Sequence, residues 1–154
     1  MTLWGALAGG FVGALVVALG SDGAVSARLS RMDIPLLLGS AVYRGWVAAR
    51  AVGYGMHLLL GLGFAATYAA ADVSGWAEGA LAGLVHGALA ITVLFPVALP
   101  LVHPRMALRG SPDRGLVEAP GPLVLAYGRW TPALLLALHV LYGAIVGGFA
   151  GWSA

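Results

Sequence analysis

Gly5-Ala-Leu-Ala-Gly9-Gly-Phe-Val-Gly13-Ala-Leu15 returns later in the chain as Gly79-Ala-Leu-Ala-Gly83-Leu-Val-His-Gly87-Ala-Leu89, at an offset of 74 residues. A second pair follows, His57-xxx-Gly61-xxx-Ala65 and His139-xxx-Gly143-xxx-Gly147, at an offset of 82. A repeat of this kind marks a unit of architecture. Here each copy holds two apolar runs, so the unit is a pair of helices used twice.

Those helices belong in a membrane. Apolar residues make up 60% of the 154-residue chain and charged residues 9%. Mean hydropathy is +0.93. A soluble domain carries about 25% charged residues. Four stretches, Leu3–Gly20, Ala51–Ala71, Gly79–Val102 and Trp130–Ala154, are free of Arg, Asp and Glu. Each exceeds or approaches the ~20 residues that cross a hydrocarbon core of ~30 Å. The first run is not preceded by a basic residue and matches the internal third run, so it reads as a retained helix rather than a signal peptide.

The loops set an orientation. All eight basic residues are Arg. Arg28, Arg31, Arg44 and Arg50 lie between runs one and two; Arg105, Arg109, Arg114 and Arg129 lie between runs three and four. The middle connection carries only Asp72 and Glu78. Basic loops stay in the cytoplasm, which places both termini outside. With the arginines confined to these short loops, the isoelectric point near 9.4 does not point to nucleic acid. The chain has no Cys and no Lys, which excludes disulfides, thiolate ligands and nucleophiles, and the lysine-bearing phosphate loop. No serine sits in a hydrolase motif.

Glycines four apart let helix backbones approach. The simplest arrangement packs Gly5, Gly9 and Gly13 against Gly79, Gly83 and Gly87 on a pseudo-two-fold axis; homodimerisation through the same faces competes with it. Both Arg-bearing loops hold an acid, a Pro, a short apolar run and then Tyr, Arg and Trp: Asp33-Ile-Pro35 to Trp46, and Glu118-Ala-Pro120 to Trp130. These runs are too short to span. They are expected to form interfacial or re-entrant helices anchored by Trp46 and Trp130. Pro96 and Pro100 are expected to bend or end the third run.

The candidate ligands are His57, His86, His103, His139, Asp33 and Glu118. Counted from Ala51, His57 lies roughly 9–10 Å into its run, with His139 at a matching depth. With His103, Asp33 and Glu118 they form an expected cluster near the cytoplasmic face, a donor set suited to Fe, Zn or Mn. His57 and His139 flanking a b-type haem, in room left by the glycines, is a weaker variant. His86 stands alone near mid-membrane as a candidate relay. Against each stands a plain alternative. Asp33 and Glu118 cap helices or pair with Arg31, Arg44 or Arg129. His57 and His139 bond across helices to Tyr142, Tyr54 or Thr67. His103 meets lipid headgroups.

The set Arg31-Met-Asp33-Ile-Pro, His57-xxx-Gly-xx-Phe-Ala, Leu-Val-His86-Gly, His103-Pro-Arg-Met and His139-xx-Tyr-Gly resembles small uncharacterised four-helix integral membrane proteins of bacteria. The resemblance covers most of the chain and implies the topology, in a bacterial inner membrane, without an activity.

The sequence therefore predicts an all-α membrane protein. Residues 1–154 form one transmembrane domain of four helices, as two parallel two-helix repeats at about 3–71 and 77–151. The leading functional expectation is a metal-binding or redox-linked site. The alternatives are a proton, cation or small-solute transport subunit, or an accessory subunit with no site.

Overall fold

The computed structural model describes residues 2–107 and 117–152. Four helices are long and apolar enough to cross a membrane: Leu3–Ser26, Trp46–Ala70, Trp76–Val102 and Thr131–Trp152. In chain order the helices are α1 (Leu3–Ser26), α2 (Ile34–Gly39), α3 (Trp46–Ala70), α4 (Trp76–Leu89), α5 (Leu99–Val102) and α6 (Thr131–Trp152). A π-helical segment, Ala90–Ala98, joins α4 to α5, and a 3₁₀ turn, Pro122–Tyr127, precedes α6. Met106–Ala107 and Val117–Glu118 form a two-residue parallel ladder. The fold is all-α in its spans, and the chain is an integral membrane protein. Trp130 and Trp152 lie at opposite ends of the last span, about 33 Å apart at 1.5 Å per residue, a separation that suits two interfacial aromatic belts.

Backbone contact at glycine holds the bundle together. α1 packs on α3 and α6, and α4 packs on α6. A Cβ added to Gly79 would fall 2.1 Å from the Gly143 carbonyl oxygen, and one on Gly83 2.2 Å from that of His139. The two glycine series do not meet each other, contrary to the simplest reading of the repeat. Gly9 and Gly13 face Val146 and Tyr142 of α6, while α1 meets α3 through Gly10 and Ala14, against Gly61 and Ala65. The face one residue further along α1 is therefore the one that touches its hairpin partner. The bundle core is correspondingly small-grained: Ala6, Ala14, Ala65, Val146 and Ala150 surround Tyr68 and Tyr142.

A second core fills the arginine-bearing end, with Met32, Ile34, Leu37, Val124, Tyr127 and Leu135 at its centre. Of the two expected short helices, the first is present as α2, while the second run, Pro122–Tyr127, is a 3₁₀ turn broken by left-handed backbone at Leu123 and Val124. Asp33 caps α2, its Oδ1 accepting the Leu36 N–H at 2.9 Å. α2 lies flat on α3, where Gly53 abuts the Pro35 carbonyl and Gly39 that of Ala49. The two loops are joined to each other: Arg31 N–H donates to the Tyr127 carbonyl at 2.7 Å, and the Ser30 and Thr131 hydroxyls bond at 2.9 Å. The long connection expected around Ala107–Val117, with Arg109 and Arg114, lies mostly outside the described residues.

Neither Pro96 nor Pro100 ends the third span. Helical structure continues to Val102, with π hydrogen bonding from Ala90 to Ala98 around Pro96. Proline lacks the N–H that α geometry would use, and wide π turns are one way a helix absorbs such a fault.

Candidate functional site

The five residues expected to converge are distributed over separate places. His103 is buried at the end of α5, with both ring nitrogens engaged. Nε2–H donates to the Leu37 carbonyl at 3.0 Å, beside Ser40 Oγ at 3.3 Å, and Nδ1 accepts the Arg105 N–H at 3.2 Å. Arg105 adds bonds to the Ser40 and Val42 carbonyls at 2.6 and 3.3 Å. His103-Pro104-Arg105 is thus a clamp on the C-terminal end of α2.

Asp33 pairs with Arg50, not with the arginines expected for it. Arg50 Nη1 bonds Asp33 Oδ2, and Nη2 bonds Asp22 Oδ2 at 3.0 Å. The Tyr54 hydroxyl donates to the same Asp22 oxygen and lies 3.2 Å from Arg50 Nη2. Trp46 and Tyr54, one turn either side, present their rings to the guanidinium. Asp22, at the end of α1, was not singled out by sequence. Glu118 pairs with Arg31 at 3.5 Å, as the plain alternative had it, in an exposed setting. Its carbonyl accepts the Tyr127 hydroxyl. Burial first, and Glu118 second, push the Tyr127 phenol above its usual range, partly opposed by Arg31.

His57, His86 and His139 are half-buried on their spans, and His86 lies beside His139 rather than alone. The His86 and His139 rings meet edge to face with centroids 4.8 Å apart. Phe64 covers His86 at 4.1 Å, Tyr68 and Tyr142 flank it at 6.2 and 6.1 Å, and the Tyr68 hydroxyl lies 3.5 Å from His86 Nδ1. The meeting follows from local sequence: His86 sits between Gly83 and Gly87, which bring α4 onto the His139 backbone and Cβ.

Each flanking imidazole is tied at one nitrogen. His57 Nε2–H donates to the Ala14 carbonyl at 3.1 Å, and His139 Nδ1–H to that of Leu135 at 2.7 Å. Neither bonds to a tyrosine or Thr67. Tyr142 instead donates to the Gly61 carbonyl, and Thr67 to that of Phe64 at 2.7 Å. Nδ1 of His57 and Nε2 of His139 have no hydrogen-bond partner among the described residues. Arg50, Tyr54 and His57 fall at four- and three-residue intervals and form a polar stripe on one face of α3, and Tyr68 returns to that face eleven residues on, beyond Gly61 and Phe64. The spacing is legible in sequence, although His57 alone of these is a candidate ligand there.

Among the described residues no group of three or more His, Asp or Glu is placed to hold a metal ion. The glycines that were to leave room beside the histidines are filled by neighbouring helices: a Cβ on Gly61 would lie 2.4 Å from that of Ala14, and one on Gly143 2.1 Å from the Gly79 carbonyl oxygen.

Compared with family models, curated proteins and solved structures, the chain matches none. None of the three supports the resemblance expected from the motifs.

Proposed function

We propose that the protein is a proton-translocating subunit of a membrane transport system, with His57, His139, His86 and Tyr68 as its relay. The observation that carries this is the His86–His139 ring contact between α4 and α6, with one imidazole nitrogen of His57 and one of His139 left free to take a proton. A neutral imidazole accepts a proton on its free nitrogen and releases one to the next group, and ionisable groups inside a membrane are by default functional. His139 Nε2 is the acceptor at the centre. His86 receives its proton, and Tyr68, whose hydroxyl both donates and accepts, extends the track toward the α3–α4 end. The stripe on α3 supports the same path toward Asp22 and Asp33.

The finer architecture belongs to this reading. Residues 1–154 act as one domain of two parallel helix hairpins, about 3–71 and 77–151, supported by the shared glycine series. The segment Met32–Gly39 is re-entrant: Ser21 donates to the Met32 carbonyl at 3.2 Å, and Pro35 abuts Gly53, seven residues inside α3. The arginine-bearing end faces the cytoplasm of a bacterial inner membrane, by the charge asymmetry between loops.

The test is purified protein in liposomes holding a pH-sensitive dye, under an imposed membrane potential. Wild-type protein acidifies the lumen, and His86→Phe and His139→Phe fall to the rate of empty liposomes while remaining folded. Wild-type flux equal to that of empty liposomes would sink the relay. Stoichiometric iron, zinc or manganese on the purified protein, lost in His139→Phe, would replace it with the metal site expected from sequence.

A further inference from the structure

A groove runs along the outer face of the bundle between α4 and α6. Its volume is about 490 Å³, and Leu84, Ala133, Ala137, Val140 and Ala144 are among the residues lining it. Its cause is local. Gly79, Gly83 and Gly87 draw α4 onto the α6 backbone, and the alanines of α6 have too little side chain to fill the channel beside the contact. From Ala133 to Ala144 it extends about 16 Å along the helix, within a span, so its surroundings are hydrocarbon.

One turn before Ala133, at the arginine-bearing end, stands Arg129. It is exposed, its guanidinium lies 5.4 Å from the centre of the Trp130 ring, and it has no carboxylate partner among the described residues. Arg31 and Arg50 are neutralised by acids, and Arg105 is spent on backbone carbonyls; Arg28 and Arg44 are exposed without an acid partner among the described residues too, but lie in the connection between α1 and α3. An uncompensated guanidinium four residues before the first groove-lining residue of α6 complements one class of molecule. A phosphate takes two parallel N–H bonds from Arg, and an acyl chain fills the channel.

We propose that the α4–α6 groove binds an acidic phospholipid, with an acyl chain along Ala133–Ala144 and the phosphate on Arg129. The site does not depend on the relay, so either can fail alone.

The test compares phosphatidylglycerol with phosphatidylcholine of identical chains, added to the delipidated protein in detergent. Thermal melting and native mass spectrometry are the readouts. Wild-type protein retains phosphatidylglycerol and melts higher with it than with phosphatidylcholine. Arg129→Gln abolishes that difference but not the melting transition. Ala137→Leu, which fills the channel, loses retention of both lipids. Inorganic phosphate alone gives no shift. Equal responses to the two lipids in wild-type protein, or a preference that survives Arg129→Gln, would overturn the proposal. So would a lipid-free dimer that Ala137→Leu converts to monomer, since a second copy would then occupy the groove.

Discussion

His86 and His139 meet edge to face, ring centroids 4.8 Å apart, where Gly83 and Gly87 bring α4 against the His139 backbone and Cβ. Ring pairs in this geometry contribute about 0.5–1.5 kcal/mol beyond burial. Phenylalanine keeps the ring and removes the exchangeable nitrogens. His86→Phe should therefore melt close to wild type, whereas His86→Ala should lose about 2 kcal/mol or more. A double-mutant cycle with His139→Ala should return the ring coupling. A coupling of zero would mean that the contact is incidental.

Arg50 between Asp22 and Asp33 gives a second prediction. Arg50→Met leaves two partly buried carboxylates side by side, costing about 2 kcal/mol once their partial exposure is allowed for. The triple variant Arg50→Met/Asp22→Asn/Asp33→Asn should recover most of it, because no unpaired charge remains. Asp33→Asn retains the α2 cap and Asp33→Ala does not, so the two should differ by about 1 kcal/mol. Denaturant titration in mixed micelles reads all of these.

The same network shows where sequence reading stops. The four spans were legible because crossing hydrocarbon demands an apolar run of fixed length. The second span was begun at Ala51 because Arg50 is charged; its helix begins at Trp46, with Arg50 neutralised by two aspartates distant in sequence. That pairing depends on the packing of α2 against α3, which brings Asp33 to Arg50. His86 was set apart on depth alone, by counting along spans taken to align end to end. The third span runs on through Pro96 and Pro100 to Val102, and His86 meets His139 at similar depth. The described residues do not bring the expected five together, for a related reason. His103 and Asp33 do lie near α2, but their polar atoms are used in holding it, and residue type alone does not reveal a donor already engaged.

Tyr127 carries a pH prediction. Its phenol, ordinarily near 10.0, is held higher in the folded protein, chiefly by burial. The unfolded chain then loses this proton first as pH rises. The stabilisation is whole below about pH 10 and is lost progressively as pH climbs toward the folded value. Stability of wild-type protein should fall more steeply above pH 10 than that of Tyr127→Phe. Phenolate absorbance should show one fewer late-titrating tyrosine in the variant. Parallel alkaline limbs would contradict this.

Leu123 and Val124 both adopt left-handed backbone, with φ of 50° and 57°. Such a conformation costs an L-residue about 1–2 kcal/mol. Leu123 is nearly half exposed and Val124 fully buried. Leu123→Gly should therefore stabilise the protein by about 0.5–1 kcal/mol. Val124→Gly relieves the same strain but empties the core around Met32 and Tyr127, and should destabilise it by about 1–2 kcal/mol. Melting temperatures moving in opposite directions for neighbouring substitutions would be the signature.

Glycine content by itself predicts nothing about which glycines matter; the backbone contacts do. A Cβ on Gly143 would sit 2.1 Å from the Gly79 carbonyl oxygen, whereas one on Gly55 or Gly63 would meet nothing within 4 Å. Backbone cannot step aside as a flexible side chain does, so Gly143→Ala must push α4 off α6. Overpacking of this kind costs about 1–3 kcal/mol, and it would also part the His86 and His139 rings. Gly55→Ala and Gly63→Ala carry no such clash and gain helix propensity of about 0.5–1 kcal/mol. In proteoliposomes Gly143→Ala should lose proton flux along with thermal stability, while the other two keep flux and melt no lower than wild type. If Gly143→Ala instead kept both, the close approach of α4 and α6 would not be what brings the two histidines together.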